Sequence, residues 1–216
     1  MTASTADAKR AMRREIRAQV ADLGAWTRTR RAERAGRLAE RAPPFAHAGL
    51  VLAYRAMADE IDATPLVARL RARGVRVAFP HVDARGRLHL LLPLKGGKEG
   101  GKEGGEEGGP CWTRDRHGIE ALDPMAPGVV RVAARDLDAV IVPGRAFDAA
   151  GGRLGRGKGF YDGLLSRLRP DARGSTVGLA FAAQLVTAVP REAHDRAVAW
   201  VATEDGVRRA RPSCDG

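Results

Sequence analysis

The feature that most constrains this chain is an alternation. Short apolar runs, too brief for helices, recur between loops and segments with helical spacing. "GLVLAY" (49–54), "VRVAFP" (75–80), "GRLHLLLPL" (86–94), "LDAVIVPG" (137–144), "STVGLAF" (175–181) and "RAVAWVAT" (196–203) read as strands. The nearly unbroken apolarity of the first suits a strand buried on both faces. Between the first two, "TPLVARLRARG" reads as a helix with Thr64 as N-cap, Pro65 at its first helical position and Gly74 as its stop. A strand, a helix and a strand in succession default to a parallel pair joined by a crossover. The expected fold is therefore α/β: a layered, mostly parallel sheet of about six strands with helices on both faces.

Two helices precede the first strand. Residues 5–23 carry an apolar stripe of Met12, Ile16, Val20 and Leu23, and they place Lys9 and Arg13 one turn apart on the same side. An Arg-rich helix over about 28–41 ends before "APP". Further on, "FYDGLLSRLRP" (160–170) reads as a helix stopped by Pro170. With 216 residues and 44% hydrophobic content, one domain over residues 1–216 is expected.

Composition excludes several classes. No uncharged apolar run reaches the roughly 18 residues of a membrane span, and no secretory signal is readable, so a soluble, cytoplasmic protein without a membrane partner is expected, as a monomer. Cys111 and Cys214 stand far apart without a second ligand at metal spacing, which reads as two free thiols and no zinc site. The net charge of +11 comes from 32 Arg and five Lys dispersed along the chain, with no aromatic-interleaved strand, so specific nucleic-acid binding is not expected. Residues 95–109 repeat a Gly-Gly-charge unit without an apolar anchor and read as a flexible solvent loop; they hold three of the five lysines, leaving Lys9 and Lys158.

"GGRLGRGKGFYDGLL" (151–165) has the composition of an anion-binding loop. A dinucleotide fingerprint needs G-x-G-x-x-G, whereas Gly155, Gly157 and Gly159 run G-x-G-x-G into Phe160. Gly152 to Lys158 satisfies the first seven positions of a Walker loop, yet Gly159 stands where the magnesium-binding hydroxyl belongs. The physics survives without either pattern. Glycine amides approach oxygen closely, the following helix contributes its positive end, and Arg153, Arg156 and Lys158 add charge. Asp162 is then free to hold a Mg²⁺ ion or simply to cap the helix. Tyr161, Leu164, Leu165 and Leu168 share one face, so Tyr161 is open to a packing or a ligand role.

"VPGRAFDAAGGRLGRGKGFYDGLL" resembles the signature of the 5-formyltetrahydrofolate cyclo-ligase family, also called 5,10-methenyltetrahydrofolate synthetases. "AKRAMRREI" is similar to its basic opening helix, "YRAMADEIDATPLV" to its folate-side segment and "GLAFAAQLVTAVPREAHD" to its magnesium segment, in the right order from about residue 8 to 206. The resemblance implies a Rossmann-like sheet and an ATP- and Mg²⁺-dependent enzyme. The reaction would cyclise 5-formyltetrahydrofolate to 5,10-methenyltetrahydrofolate by phosphorylating the formyl oxygen. It implies ATP contacts from Lys9, Arg10 and Arg13 and from the loop residues Arg153, Leu154, Gly155, Arg156, Gly157, Lys158, Gly159, Phe160 and Tyr161. Lys158 and Arg156 would be catalytic. Tyr54, Met57, Glu60, Arg156 and Phe160 would meet the folate, and Asp162 and Asp195 the metal. "GIEALDP" departs from the family's shorter Glu-Pro junction near Glu120. Two readings compete with this one: a kinase of another small molecule, and a basic nucleic-acid-binding module.

Overall fold

The computed structural model describes residues 4–94, 112–114 and 120–211. The run 95–109 and both cysteines lie outside the described residues. Helix α1 (Thr5–Ala21) begins at Ser4, whose hydroxyl accepts the Asp7 amide at 3.2 Å, and it buries Ile16 and Val20. Helix α2 (Ala25–Ala39) buries a small-residue face of Ala32, Ala35, Gly36 and Ala39. Strand β1 (Leu50–Leu52) is buried throughout and is followed by α3 (Thr64–Ala72) and β2 (Arg76–Val82). Next come β3 (Leu88–Pro93), β4 (Trp112–Arg114), β5 (Glu120–Leu122), β6 (Val129–Val132) and β7 (Ala139–Val142). The chain continues through β8 (Ala146–Phe147), β9 (Arg153–Leu154), α4 (Phe160–Leu165), α5 (Pro170–Arg173), β10 (Thr176–Leu179), β11 (Trp200–Thr203) and β12 (Gly206–Arg209).

The main sheet has eight strands in the order β12-β11-β10-β7-β1-β2-β3-β6. The five central strands, β11 to β2, pair in parallel, and β12, β3 and β6 add antiparallel edges. Six strands were expected. The edges β6 and β12 escape notice because "VVRV" and "GVRR" are short and half-exposed, so their apolar signal is weak.

Alternate residues of the buried strands feed two cores. Val51, Val77, Ile141 and Val177 pack with α1, α2 and α3 on one face. Leu50, Leu52, Ala78, Val140 and Val142 pack with Leu164, Leu165, Leu168 and Ala172 on the other. Period-2 side-chain alternation thus explains why the central strands read as continuous apolar runs.

Two boundaries differ from expectation. Helix α3 starts at Thr64 itself, with Ala63 as N-cap, because the Asp62 carboxylate takes the Thr64 amide at 2.9 Å. Pro170 opens α5 rather than stopping α4, a position that suits its missing N–H and fixed φ.

The chain leaves β1 toward β2 on one side, while β7 pairs on the other and leads outward to β10 and β11. That reversal opens a crevice at the carboxyl ends of β1 and β7. Asp138 ties the entry to both strands. Its Oδ2 accepts the Gly49 and Leu50 amides at 2.8 Å each, and its other oxygen pairs with Arg169. Burial disfavours this carboxylate, but the two amides and Arg169 outweigh it and hold the group below its ordinary value of 3.8. A depressed carboxyl stabilises the fold above its unfolded value and loses that contribution as pH falls through the folded one. Asp138→Asn should therefore melt earlier than the parent at pH 7, with the gap closing as melts are repeated below pH 3.8. A gap that stays constant into acid would contradict this role.

Candidate active site

The loop after β7 is a hairpin. Strands β8 and β9 pair antiparallel, and the turn between them is built on Asp148. Its Oδ1 accepts the amides of Ala150 at 2.9 Å and Gly152 at 2.7 Å, while Oδ2 accepts the Val189 amide at 2.9 Å. One buried carboxylate therefore fixes the glycine-rich loop to the segment that carries Glu192 and Asp195. Fully buried Gln184 fixes the loop's start, its Nε2 donating to the Gly144 and Arg145 carbonyls at 3.1 and 3.0 Å.

Beyond β9 the backbone needs glycine. Gly157 has φ +90° and Gly159 has φ +68°, both in the left-handed region that side chains disfavour. Gly159 is the N-cap of α4, which is only six residues long. So short a helix has a small dipole, and the loop's positive character comes chiefly from side chains.

These side chains border a cleft of about 740 Å³ at the β1–β7 crevice. It gathers every residue to which the resemblance gives a role: Lys9, Arg10, Arg13, Tyr54, Met57, Glu60, residues 153–161, Asp162 and Asp195. Helix α1 supplies one wall. Arg13 Nε donates to the Gly155 carbonyl at 2.9 Å, joining this helix to the loop, and exposed Arg10 pairs with Asp7. Lys9 Nζ lies 2.7 Å from both Glu192 and Asp195. Burial weakens the Lys9 ammonium, yet its bonds to Asp195 and Glu192 outweigh that and leave it above the usual lysine value. Asp195 is driven the other way: burial raises it, and the contacts with Lys9 and the Glu192 amide bring it below the usual carboxylate value.

The opposite wall follows β1. Tyr54, buried, donates its hydroxyl to the Ile61 carbonyl at 2.8 Å and so staples the loop that carries Met57 and Glu60. Burial pushes the Tyr54 phenol well up, with Glu60 reinforcing the effect, so it stays a neutral donor. Glu60 Oε2 accepts the Met57 amide at 3.0 Å, and its Oε1 receives Arg156 Nε at 3.2 Å. Arg156 also pairs with Asp59, which Arg145 meets from the other side at 2.6 Å. On the floor, Arg153 binds Asp162 at 2.9 Å, and the same carboxylate oxygen accepts the Arg196 amide at 3.0 Å. The Tyr161 hydroxyl, buried, has no hydrogen-bond partner among the described residues, and burial with nearby Glu60 pushes its pKa up.

Sequence patterning missed Asp59, Arg145, Asp148 and Glu192. Asp148 had a signal, an aspartate just before Ala-Ala-Gly-Gly, which is turn chemistry. Arg145 had none, because its importance arises from a partner 86 positions away.

Among the described residues, the potential metal ligands that cluster are Glu192, His194 and Asp195, with ligand atoms within 4.8 Å of one another. The cluster includes Asp195 and not Asp162, whose carboxylate is engaged by Arg153. Two carboxylates suit a hard divalent ion.

Comparison with known proteins gives the architecture a lineage. The sequence pattern of the 5-formyltetrahydrofolate cyclo-ligase family matches residues 5–204. This chain belongs to that family. The 5-formyltetrahydrofolate cyclo-ligase of Mycolicibacterium smegmatis is 31% identical over 155 residues, covering 71% of this chain and 72% of that protein. The mouse protein of the same name is 42% identical over 71 residues, a stretch that covers 32% of this chain and only 35% of the mouse protein's length. The NMR structure of Aquifex aeolicus 5,10-methenyltetrahydrofolate synthetase superposes with a TM-score of 0.74 at 28% identity, over 96% of this chain and 95% of that one. Membership of the cyclo-ligases accounts for a mixed α/β sheet with helices on both faces.

The Lys9 contacts bear on dynamics. In Lys9→Met, the two carboxylates lose the cation between them, and amide hydrogen exchange at residues 191–196 should rise while exchange in the central strands stays as in the parent. Unchanged protection at 191–196 would show that Lys9 is not what holds that segment.

Proposed function

We propose that this protein is an ATP-dependent enzyme that closes 5-formyltetrahydrofolate to 5,10-methenyltetrahydrofolate, releasing ADP and phosphate. The observation that carries the reading is the single cleft in which a glycine-rich basic loop faces the Glu60 carboxylate, with Arg156 reaching from one to the other.

The chemistry explains why both halves are needed. A formyl group on nitrogen is amide-like, so its carbon is a poor electrophile and its oxygen a poor leaving group. Transfer of the γ-phosphoryl group of ATP to that oxygen converts it to a phosphate leaving group. N10 then attacks the carbon and gives up its proton to solvent, the C–O bond breaks, and inorganic phosphate departs with the oxygen. The protein's contribution to such a transfer is positioning and charge neutralisation.

Lys158 and Arg156 take the transferred phosphoryl group, and Lys9, Arg10 and Arg13 with loop residues 153–161 hold the remaining phosphates. Glu60 accepts the adjacent donors of the pterin's amino-pyrimidinone edge, which suit a carboxylate. Tyr54, Met57 and Phe160 supply apolar walls for the flat ring. Asp195 and Asp162, with Glu192 as a further oxygen donor, are the residues that would hold Mg²⁺. When bound, the ion neutralises charge on the phosphate oxygens. Lys9 Nζ lies between Glu192 and Asp195, so the ion would have to displace its ammonium from them. No described helix is long and apolar enough to cross a membrane, and the reading takes the enzyme to be a cytoplasmic monomer with no nucleic-acid partner.

Incubation with 5-formyltetrahydrofolate, ATP and Mg²⁺ should produce the near-ultraviolet absorbance of the methenyl product. Folded protein giving no such rise overturns the reading. Lys158→Ala should lower kcat by about 10²- to 10³-fold, the range for removing one group that stabilises developing charge. Glu60→Gln should instead act on folate binding, raising its KM by roughly 10- to 100-fold, as expected for a charge-assisted hydrogen bond.

A further inference from the structure

Four charged side chains meet where the folate wall joins the glycine-rich loop. Arg156 comes from the loop, Asp59 and Glu60 from the segment after β1, and Arg145 from the chain just past β7. Arg156 pairs with Asp59 and donates through Nε to Glu60 Oε1 at 3.2 Å. Arg145 approaches the other Asp59 oxygen at 2.6 Å. The carboxylate side chains are only 11% and 8% exposed, whereas Arg156 retains 30% exposure. Arg156 is therefore the most accessible of the four, and it is turned onto carboxylates.

This arrangement turns Arg156 toward the carboxylates, whereas the proposed function needs it on the transferred phosphoryl group. Both Glu60 oxygens are in use, Oε2 by the Met57 amide and Oε1 by Arg156. A pterin edge that donates to Oε1 competes with Arg156 Nε for that oxygen. Asp59 is then the remaining anchor, and Arg145 shares it. Held by both carboxylates, Arg156 has Nε and one terminal nitrogen engaged and its charge neutralised, so it is a weaker partner for a phosphate than a released guanidinium.

Resting on that reading, we propose that Asp59, steadied by Arg145, is a positioning residue that keeps Arg156 off the nucleotide phosphates until a folate occupies Glu60. Occupation of Glu60 weakens one of the two bonds restraining Arg156, so the guanidinium turns to the phosphates more readily. Folate binding then strengthens ATP binding, and by linkage ATP strengthens folate binding equally.

The test measures the Kd of a non-hydrolysable ATP analogue by calorimetry, with and without saturating 5-methyltetrahydrofolate. That folate has the same pterin edge but no formyl oxygen to phosphorylate. In the parent enzyme, the folate should tighten the analogue about tenfold, within the usual range of coupling between sites. In Asp59→Asn the analogue should bind more tightly than to the parent when folate is absent, and the folate effect should shrink toward onefold. A merely structural role for Asp59 would weaken nucleotide binding, so a gain separates the two. Because Asp59→Asn leaves Arg145 buried without its anion, the double variant Asp59→Asn/Arg145→Gln removes both charges and should behave alike. Nucleotide affinity in these variants no greater than the parent's, or a folate effect equal to the parent's, overturns the proposal while leaving the function intact. A parent enzyme that binds the analogue but not the folate overturns the functional reading and the proposal together.

Discussion

The parallel pairing of β1 with β7 is the constraint on which the rest depends. These strands are hydrogen-bonded neighbours, yet the chain departs from them toward opposite edges of the sheet. The segments leaving their carboxyl ends cannot cover the same ground, and a crevice is left between them. The wall that carries Met57 and Glu60 is the loop after β1, and the glycine-rich hairpin is the loop after β7. Helix α1 then closes the third side, because Ile16 and Val20 bury against the sheet and leave Lys9 and Arg13 facing the cleft. The site is thus a consequence of strand order more than of any single loop.

Within that frame, carboxylates do most of the positioning. Asp148 gathers three amides, Asp138 gathers two amides and an arginine, and Asp59 gathers two arginines. Asp148 and Asp138 bind backbone amides just outside the strands, where the regular ladder is absent, and Asp59 holds side chains instead. A buried carboxylate stripped of its partners is strongly destabilising, so these groups define one geometry and penalise departures from it. The same property makes Asp59 suited to hold the Arg156 guanidinium, which it shares with Glu60.

Much of this was legible in the residues themselves. The unbroken apolarity of β1 marked it as covered on both faces, and the strand–helix–strand order marked it as parallel to β2. The glycine-rich loop declared itself by composition, and the missing hydroxyl after Lys158 directed attention to more distant carboxylates. What escaped notice shares a cause. Strands β6 and β12 are edge strands with one wet face, so "VVRV" and "GVRR" look like loop. The pairings of Arg145 with Asp59 and of Lys9 with Glu192 join residues 86 and 183 positions apart, and no local period reports such contacts. Local chemistry announces elements. Long-range electrostatics appears only once the chain has closed.

The central claim is that the cleft brings the terminal phosphoryl group of ATP onto the formyl oxygen of the folate. The fate of that oxygen tests it most directly. With 5-formyltetrahydrofolate carrying oxygen-18 in the formyl group, turnover followed by mass spectrometry of the released inorganic phosphate should show one labelled oxygen per phosphate, in step with methenyl product. Product formation with unlabelled phosphate, the label leaving as water, would mean that the formyl oxygen is never phosphorylated and that the basic loop serves some other end.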